Sequence, residues 1–199
     1  MEAASIAHDH HGPPPAHRSS RVHAPTLGML LFIMSEVMIF GAFFTAYFFI
    51  RVVTKDPWPA HGTVFPEGPT GVNTGILLAS SLTLHWALVS VKKGNRFGLK
   101  AGMVATFLLG LTFLTLQVNE YIHLGFAPHD SAQATVFYSL TGLHGAHVVV
   151  GLGALIMVTV RAFRGHYTAD EHQGMEVPGI YWHFVDIMWV IVYTAVYVL

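Results

Sequence analysis

Apolar residues run along this chain in five long blocks, at about 27–50, 71–91, 101–122, 136–160 and 178–198. The segments between them are polar or rich in glycine and proline. Each block meets the roughly 20 residues that an α-helix needs to cross a hydrocarbon core. The strands of a membrane barrel would be about 10 residues long with alternating polarity, and no such alternation is present. The pattern predicts an all-α polytopic membrane protein, a bundle of five transmembrane helices over residues 26–199. Ahead of it, residues 1–25 carry His8, His10, His11, His17, His23 and Pro13-Pro14-Pro15, with no apolar run of the kind a signal peptide has. This stretch reads as a disordered, water-exposed tail on the cytoplasmic side.

Lysine and arginine orient the bundle. With the N-terminus inside, Arg18, Arg21, Lys92, Lys93, Arg96, Lys100, Arg161 and Arg164 fall on the inner side. Only Arg51 and Lys55 fall outside, so eight against two places the N-terminus in and the C-terminus out. The 51–70 link holds Asp56-Pro57-Trp58-Pro59 and Phe65-Pro66-Glu67-Gly68-Pro69. It reads as an external loop stiffened by proline, with Trp58 at the interface. Gly142, Gly145, Ala146 and Gly153 in the fourth block, and Gly98-x3-Gly102 entering the third, are expected to let helices approach closely.

Composition sharpens the class. The chain is 53% hydrophobic and 11% charged, where soluble domains carry about 25% charge. A net charge of −1 gives no basic field for nucleic acid, and no phosphate-cradling glycine motif precedes a helix. With no cysteine, disulfides, iron–sulfur clusters and thiol catalysis are excluded. Five helices cannot split into equal inverted repeats, which makes a transporter a poor fit.

The informative residues are the polar ones inside the blocks, because an ionisable group in lipid needs a partner. Glu36 lies about 14 Å into the first helix among wholly apolar neighbours. It reads either as a proton-handling or headgroup-binding carboxyl, or as a neutral acid hydrogen-bonded to another helix. His144 and His147 share a face of the fourth helix, and His183 and Asp186 a face of the fifth. The His–Asp spacing suits a metal ligand with its orienting carboxylate and equally suits two helix-to-helix hydrogen bonds. His85 and His183 lie at one depth, about 8–9 Å from the inner surface, as axial haem ligands would. His144 and His147, sharing one helix, cannot form a second such pair. Glu120 and His123 read as a solvated helix end, and Gln117 as a cross-helix hydrogen bond.

Taken together, these stretches resemble subunit III of the haem–copper terminal oxidases of the cytochrome c oxidase type. Gly28-Met29-Leu30-Leu31-Phe32-Ile33-Met34-Ser35-Glu36-Val37 is similar to the family's segment with a buried glutamate. Asn73-Thr74-Gly75-Ile76-Leu77-Leu78-Ala79-Ser80 with Trp86, and Leu116-Gln117-Val118-Asn119-Glu120-Tyr121, resemble the next two helices. Thr141-Gly142-Leu143-His144-Gly145-Ala146-His147-Val148 and Tyr181-Trp182-His183-Phe184-Val185-Asp186 with Trp189 match the signatures of the last two. The resemblance implies a subunit with no catalytic residue, metal or redox centre of its own. Haem and copper would sit in the partner subunits I and II. The chain would pack on subunit I of a bacterial inner-membrane complex or respiratory supercomplex, bind phospholipid and support proton uptake. It implies lipid-binding or proton-related roles for Glu36, His147 and Arg161. It leaves His144, His183, Asp186 and Glu120 as structural polar residues. His85 lies outside the family pattern, and two helices of the longer members are missing. A quinol oxidase subunit III is the near alternative; a standalone b-type cytochrome or a transporter is the distant one.

Overall fold

The computed structural model describes residues 23–54, 67–168 and 172–199. Five helices follow in order: α1 (Ala24–Val53), α2 (Glu67–Lys92), α3 (Arg96–His123), α4 (Ala132–Phe163) and α5 (Gln173–Tyr193). The last helix runs on into a π-helical turn, Thr194–Val198. All five are long and apolar enough to cross a membrane, and no strand occurs among the described residues. The all-α, five-span expectation therefore holds. The His- and Pro-rich tail through Arg21, together with Lys55 and the proline loop around Trp58, lies outside the described residues.

Helix ends follow local chemistry. α1 starts with Pro25 in its first turn, where the missing N–H has no helical acceptor anyway. The Asn95 side chain accepts from the Phe97 and Gly98 amides and opens α3, and Ser131 does the same for α4 through Ala134. Gly94, at φ +71°, makes the sharp exit from α2. α5 begins at Gln173 and carries Pro178 inside it, ahead of the apolar block that starts at residue 178. Proline so near a helix start removes only one intrahelical bond.

α5 is the most buried helix and α1 the least. Trp182 is the hub. Its indole lies between Gly110 of α3 and Gly151 of α4, where an added Cβ would sit 2.7 Å from the ring at each glycine. Gly98 and Gly102 press on Ser90 and Ala87 of α2 in the same way. The expectation for the other glycines is corrected. Among the described residues a Cβ at Gly142, Gly145 or Gly153 would meet nothing within 4 Å, so those positions draw no described helices together. Gly151 does so instead.

α2 and α5 run antiparallel and are joined by paired spacings. The Trp182 Nε1–H donates to Ser80 Oγ and the Trp189 Nε1–H to Thr74 Oγ1, each at 2.9 Å. α1 packs on α4 and α5, and the Tyr47 hydroxyl donates to the Ala195 carbonyl at 3.0 Å. That carbonyl lies in the π turn, where the helical hydrogen-bond ladder is displaced. Lys92, Lys93, Arg96, Lys100, Arg161 and Arg164 gather at one end of the bundle, where Lys92 pairs with Glu176 at 2.8 Å. Arg51 lies at the other end and donates to the Leu199 carbonyl.

Candidate functional site

Glu36 projects from the middle of α1 toward α4. Its Oε2 lies 2.9 Å from His147 Nε2, with both side chains mostly buried. The other ring nitrogen, His147 Nδ1, is 2.8 Å from the Leu143 carbonyl one turn back. A carbonyl only accepts, so Nδ1 must carry a hydrogen. This fixes the chemistry at Nε2. Either the imidazole is cationic and donates to a carboxylate, or it is neutral and accepts from a carboxylic acid. One proton is thus shared by two residues on different helices, and its position does not change the net charge of the pair.

Aromatic rings wall the pair. Phe40 lies 5.1 Å from the His147 ring, Tyr181 of α5 stacks at 6.5 Å, and the Phe32 ring is 6.1 Å from Tyr181. The Tyr181 hydroxyl reaches the His147 carbonyl at 3.4 Å. Low polarity around a shared proton strengthens the hydrogen bond and makes loss of either partner expensive.

Arg161 is exposed at the basic end of α4, with its guanidinium 5.7 Å above the ring of Tyr167. Burial pushes the Tyr167 hydroxyl above its ordinary value, and the Arg161 charge pulls it back less, so the ring remains a neutral platform. At about 1.5 Å per residue, Arg161 stands about 21 Å along α4 from His147. The three residues expected to act together therefore occupy two depths: a pair inside the bundle and a cation at its rim.

The remaining candidates separate. His183 Nδ1 is 2.7 Å from Ser81 Oγ, and that hydroxyl also donates to Asp186 Oδ2, so one serine of α2 joins both residues of α5. His144 is fully buried, with no hydrogen-bond partner at either ring nitrogen among the described residues. It lies 4.7 Å from the Trp189 ring and edge-on to Phe113 at 5.9 Å. Glu120 differs from the solvated end read in the sequence. Its two oxygens accept from Tyr197 at 2.8 Å and Thr70 at 2.9 Å, tying α3 to the π turn and to the start of α2. His85 is exposed on α2. Among the described residues no three or more His, Asp or Glu side chains converge as metal ligands would.

The sequence reading missed Ser80, Ser81 and Thr74, which anchor α5, and Tyr47 and Tyr197, which hold the π turn. A signal existed for the first group. Asn73-Thr74 and Ser80-Ser81 recur seven apart on α2, as Trp182 and Trp189 do on α5.

Comparison with known proteins completes the description. The family model described as cytochrome c oxidase subunit III matches residues 14–199. A cytochrome c oxidase subunit 3 from Thermostichus vulcanus is 39% identical over 174 residues, covering 87% of this chain and 86% of the relative. The rat protein of that name, from Rattus norvegicus, is 40% identical over 177 residues, 85% of this chain and 67% of its own length.

Proposed function

The chain belongs to the cytochrome c oxidase subunit III family, and from that premise we propose that it supports a haem–copper oxidase without catalysing a redox step itself. The multi-pass bundle is one subunit of a hetero-oligomeric oxidase. Subunits I and II hold the haem and copper and pass electrons from cytochrome c to dioxygen, while this chain packs on subunit I in a bacterial inner membrane. Its N-terminus faces the cytoplasm, so the basic end meets the cytoplasmic leaflet. There Arg161, held over Tyr167, presents a planar guanidinium to a phospholipid phosphate, and the acyl chains run up the bundle toward Glu36 and His147. The shared proton of that pair supports proton uptake by the neighbouring catalytic subunit and keeps the bundle closed.

The observation that carries this reading is the Glu36–His147 hydrogen bond of 2.9 Å between α1 and α4. An intramembrane acid is functional by default, and here it has a titratable partner rather than an inert one.

Two variants test it in the purified complex. Glu36→Gln retains the shape and a hydrogen bond but cannot release a proton. The initial oxygen-reduction rate is expected to stay within about twofold of wild type, below ~0.5 kcal/mol in barrier, while activity is lost faster over sustained turnover. Abolished oxygen reduction in a normally assembled complex would overturn a supporting role. Arg161→Ala is expected to remove bound phospholipid, read by native mass spectrometry; unchanged lipid would end the headgroup assignment.

A further inference from the structure

At the end of the bundle opposite the basic rim, α3 closes on Asn119-Glu120-Tyr121-Ile122-His123. Glu120 and His123 are three residues apart and so lie on one face of the helix. Both line a cavity of about 290 Å³, together with Asn119 and Leu116 of α3 and Asn73 of α2. Glu-x-x-His is the spacing by which helix bundles bring a carboxylate and an imidazole onto one metal ion.

The partners of the two side chains suit that use. His123 Nδ1 lies 2.8 Å from the Asn119 carbonyl. A carbonyl only accepts, so Nδ1 carries the hydrogen and Nε2 of the neutral ring keeps its lone pair. A backbone carbonyl on the far nitrogen is also what orients metal-ligating histidines. Glu120 is oriented as firmly, since Thr70 donates to Oε2 at 2.9 Å and Tyr197 to Oε1 at 2.8 Å. A carboxylate has about four acceptor directions, so two hydroxyls leave room for an ion. Among the described residues no cationic side chain pairs with Glu120. An arriving ion would supply that charge and displace any proton the carboxyl holds.

We propose that Glu120 and His123 form an exchangeable site for a divalent cation of the zinc class. Imidazole with carboxylate favours zinc over magnesium or calcium, which take oxygen ligands alone. Water and the exposed Asn119 amide complete the shell. The ion would sit where α2 and the π turn meet α3, because Thr70 and Tyr197 hold its carboxylate. Zinc has no redox chemistry, so the site adds to the supporting role without altering it.

The test counts zinc in the purified complex. The chain starts with a histidine-rich stretch, so His8, His10, His11, His17 and His23 are first replaced by Gln. This parent is isolated without a histidine tag and dialysed against graded free Zn²⁺, and zinc per chain is read by plasma mass spectrometry. The parent is expected to bind one equivalent that His123→Gln weakens by more than about tenfold, since even an outer-shell partner is worth that much. Glu120→Gln is expected to act alike. His129→Gln is the control: that histidine also neighbours an acid, Asp130 at 3.6 Å, but does not line the cavity. It is expected to leave the equivalent in place. No uptake by the parent, equal uptake in parent and His123→Gln, or equal loss in His129→Gln overturns the proposal. His123 is exposed at a helix end, so its variant is expected to keep the parent's haem per chain. Absence of haem–copper subunits from the parent would instead count against the proposed function, and the zinc count would still read out.

Discussion

At the scale of single residues, the structure separates side chains that the sequence presents as equals. Four glycines and two histidines in α4 share one apolar background, and nothing local marks which of them touch another helix. Gly151 meets Trp182 and Gly142 meets nothing. Gly151→Ala is therefore expected to destabilise the folded bundle by about 1–3 kcal/mol, the range for overpacking. Gly142→Ala is expected to be neutral or slightly favourable, both read as the midpoint of denaturation in mixed detergent. Equal effects of the two would contradict the packing around Trp182. His144 carries a second prediction. Its ring nitrogens are buried between Phe113 and Trp189 without partners among the described residues, and an unmet polar group costs roughly 1–3 kcal/mol. His144→Phe is expected to retain or raise thermal resistance of the isolated subunit, and a sharp loss would point to a hydrogen bond that the ring makes elsewhere. The sequence motif that contains His144 and His147 treats them alike, whereas only His147 faces a carboxyl.

At the scale of helices, existence was legible and boundaries were not. Hydropathy sees the length of chain that lipid requires, so it located all five spans. Yet α5 begins at Gln173, because the polar turn before Pro178 is helical although its composition carries no apolar signal. The π turn at Thr194–Val198 has no hydropathy signal at all. It is set by what Tyr47 and Tyr197 reach on other helices. Pairing between helices was equally hidden. That Glu36 meets His147 depends on α1 lying against α4, which no periodicity in either segment encodes. The hydroxyl ladder of α2 is the exception, since the six-residue step from Thr74 to Ser80 nearly matches the seven-residue step between the tryptophans they serve. Thr74→Val removes the acceptor of Trp189 with little change of volume, and is expected to destabilise the α2–α5 contact by about 1 kcal/mol. Ser81→Ala, which leaves both His183 and Asp186 without that hydroxyl, is expected to cost more, measured by detergent denaturation beside Thr74→Val. The reverse order would argue that Ser81 is incidental.

At the scale of the molecule, the bundle divides into a tight group and an outlier. Helices α2 to α5 interlock through Trp182, Trp189 and the glycines that admit them. α1 lies against α4 and α5, held chiefly by Glu36 at mid-depth and by Tyr47 and Arg51 near its far end. This arrangement has a consequence for biosynthesis. Ribosomes deliver α1 before α2 to α5, and its partners at His147, Ala195 and Leu199 emerge only with the last third of the sequence. Until then the helix rests in lipid with its carboxyl unmatched. α1 thus finds its place late, and a chain interrupted anywhere before α4 would leave it drifting, marked for quality control by its own glutamate.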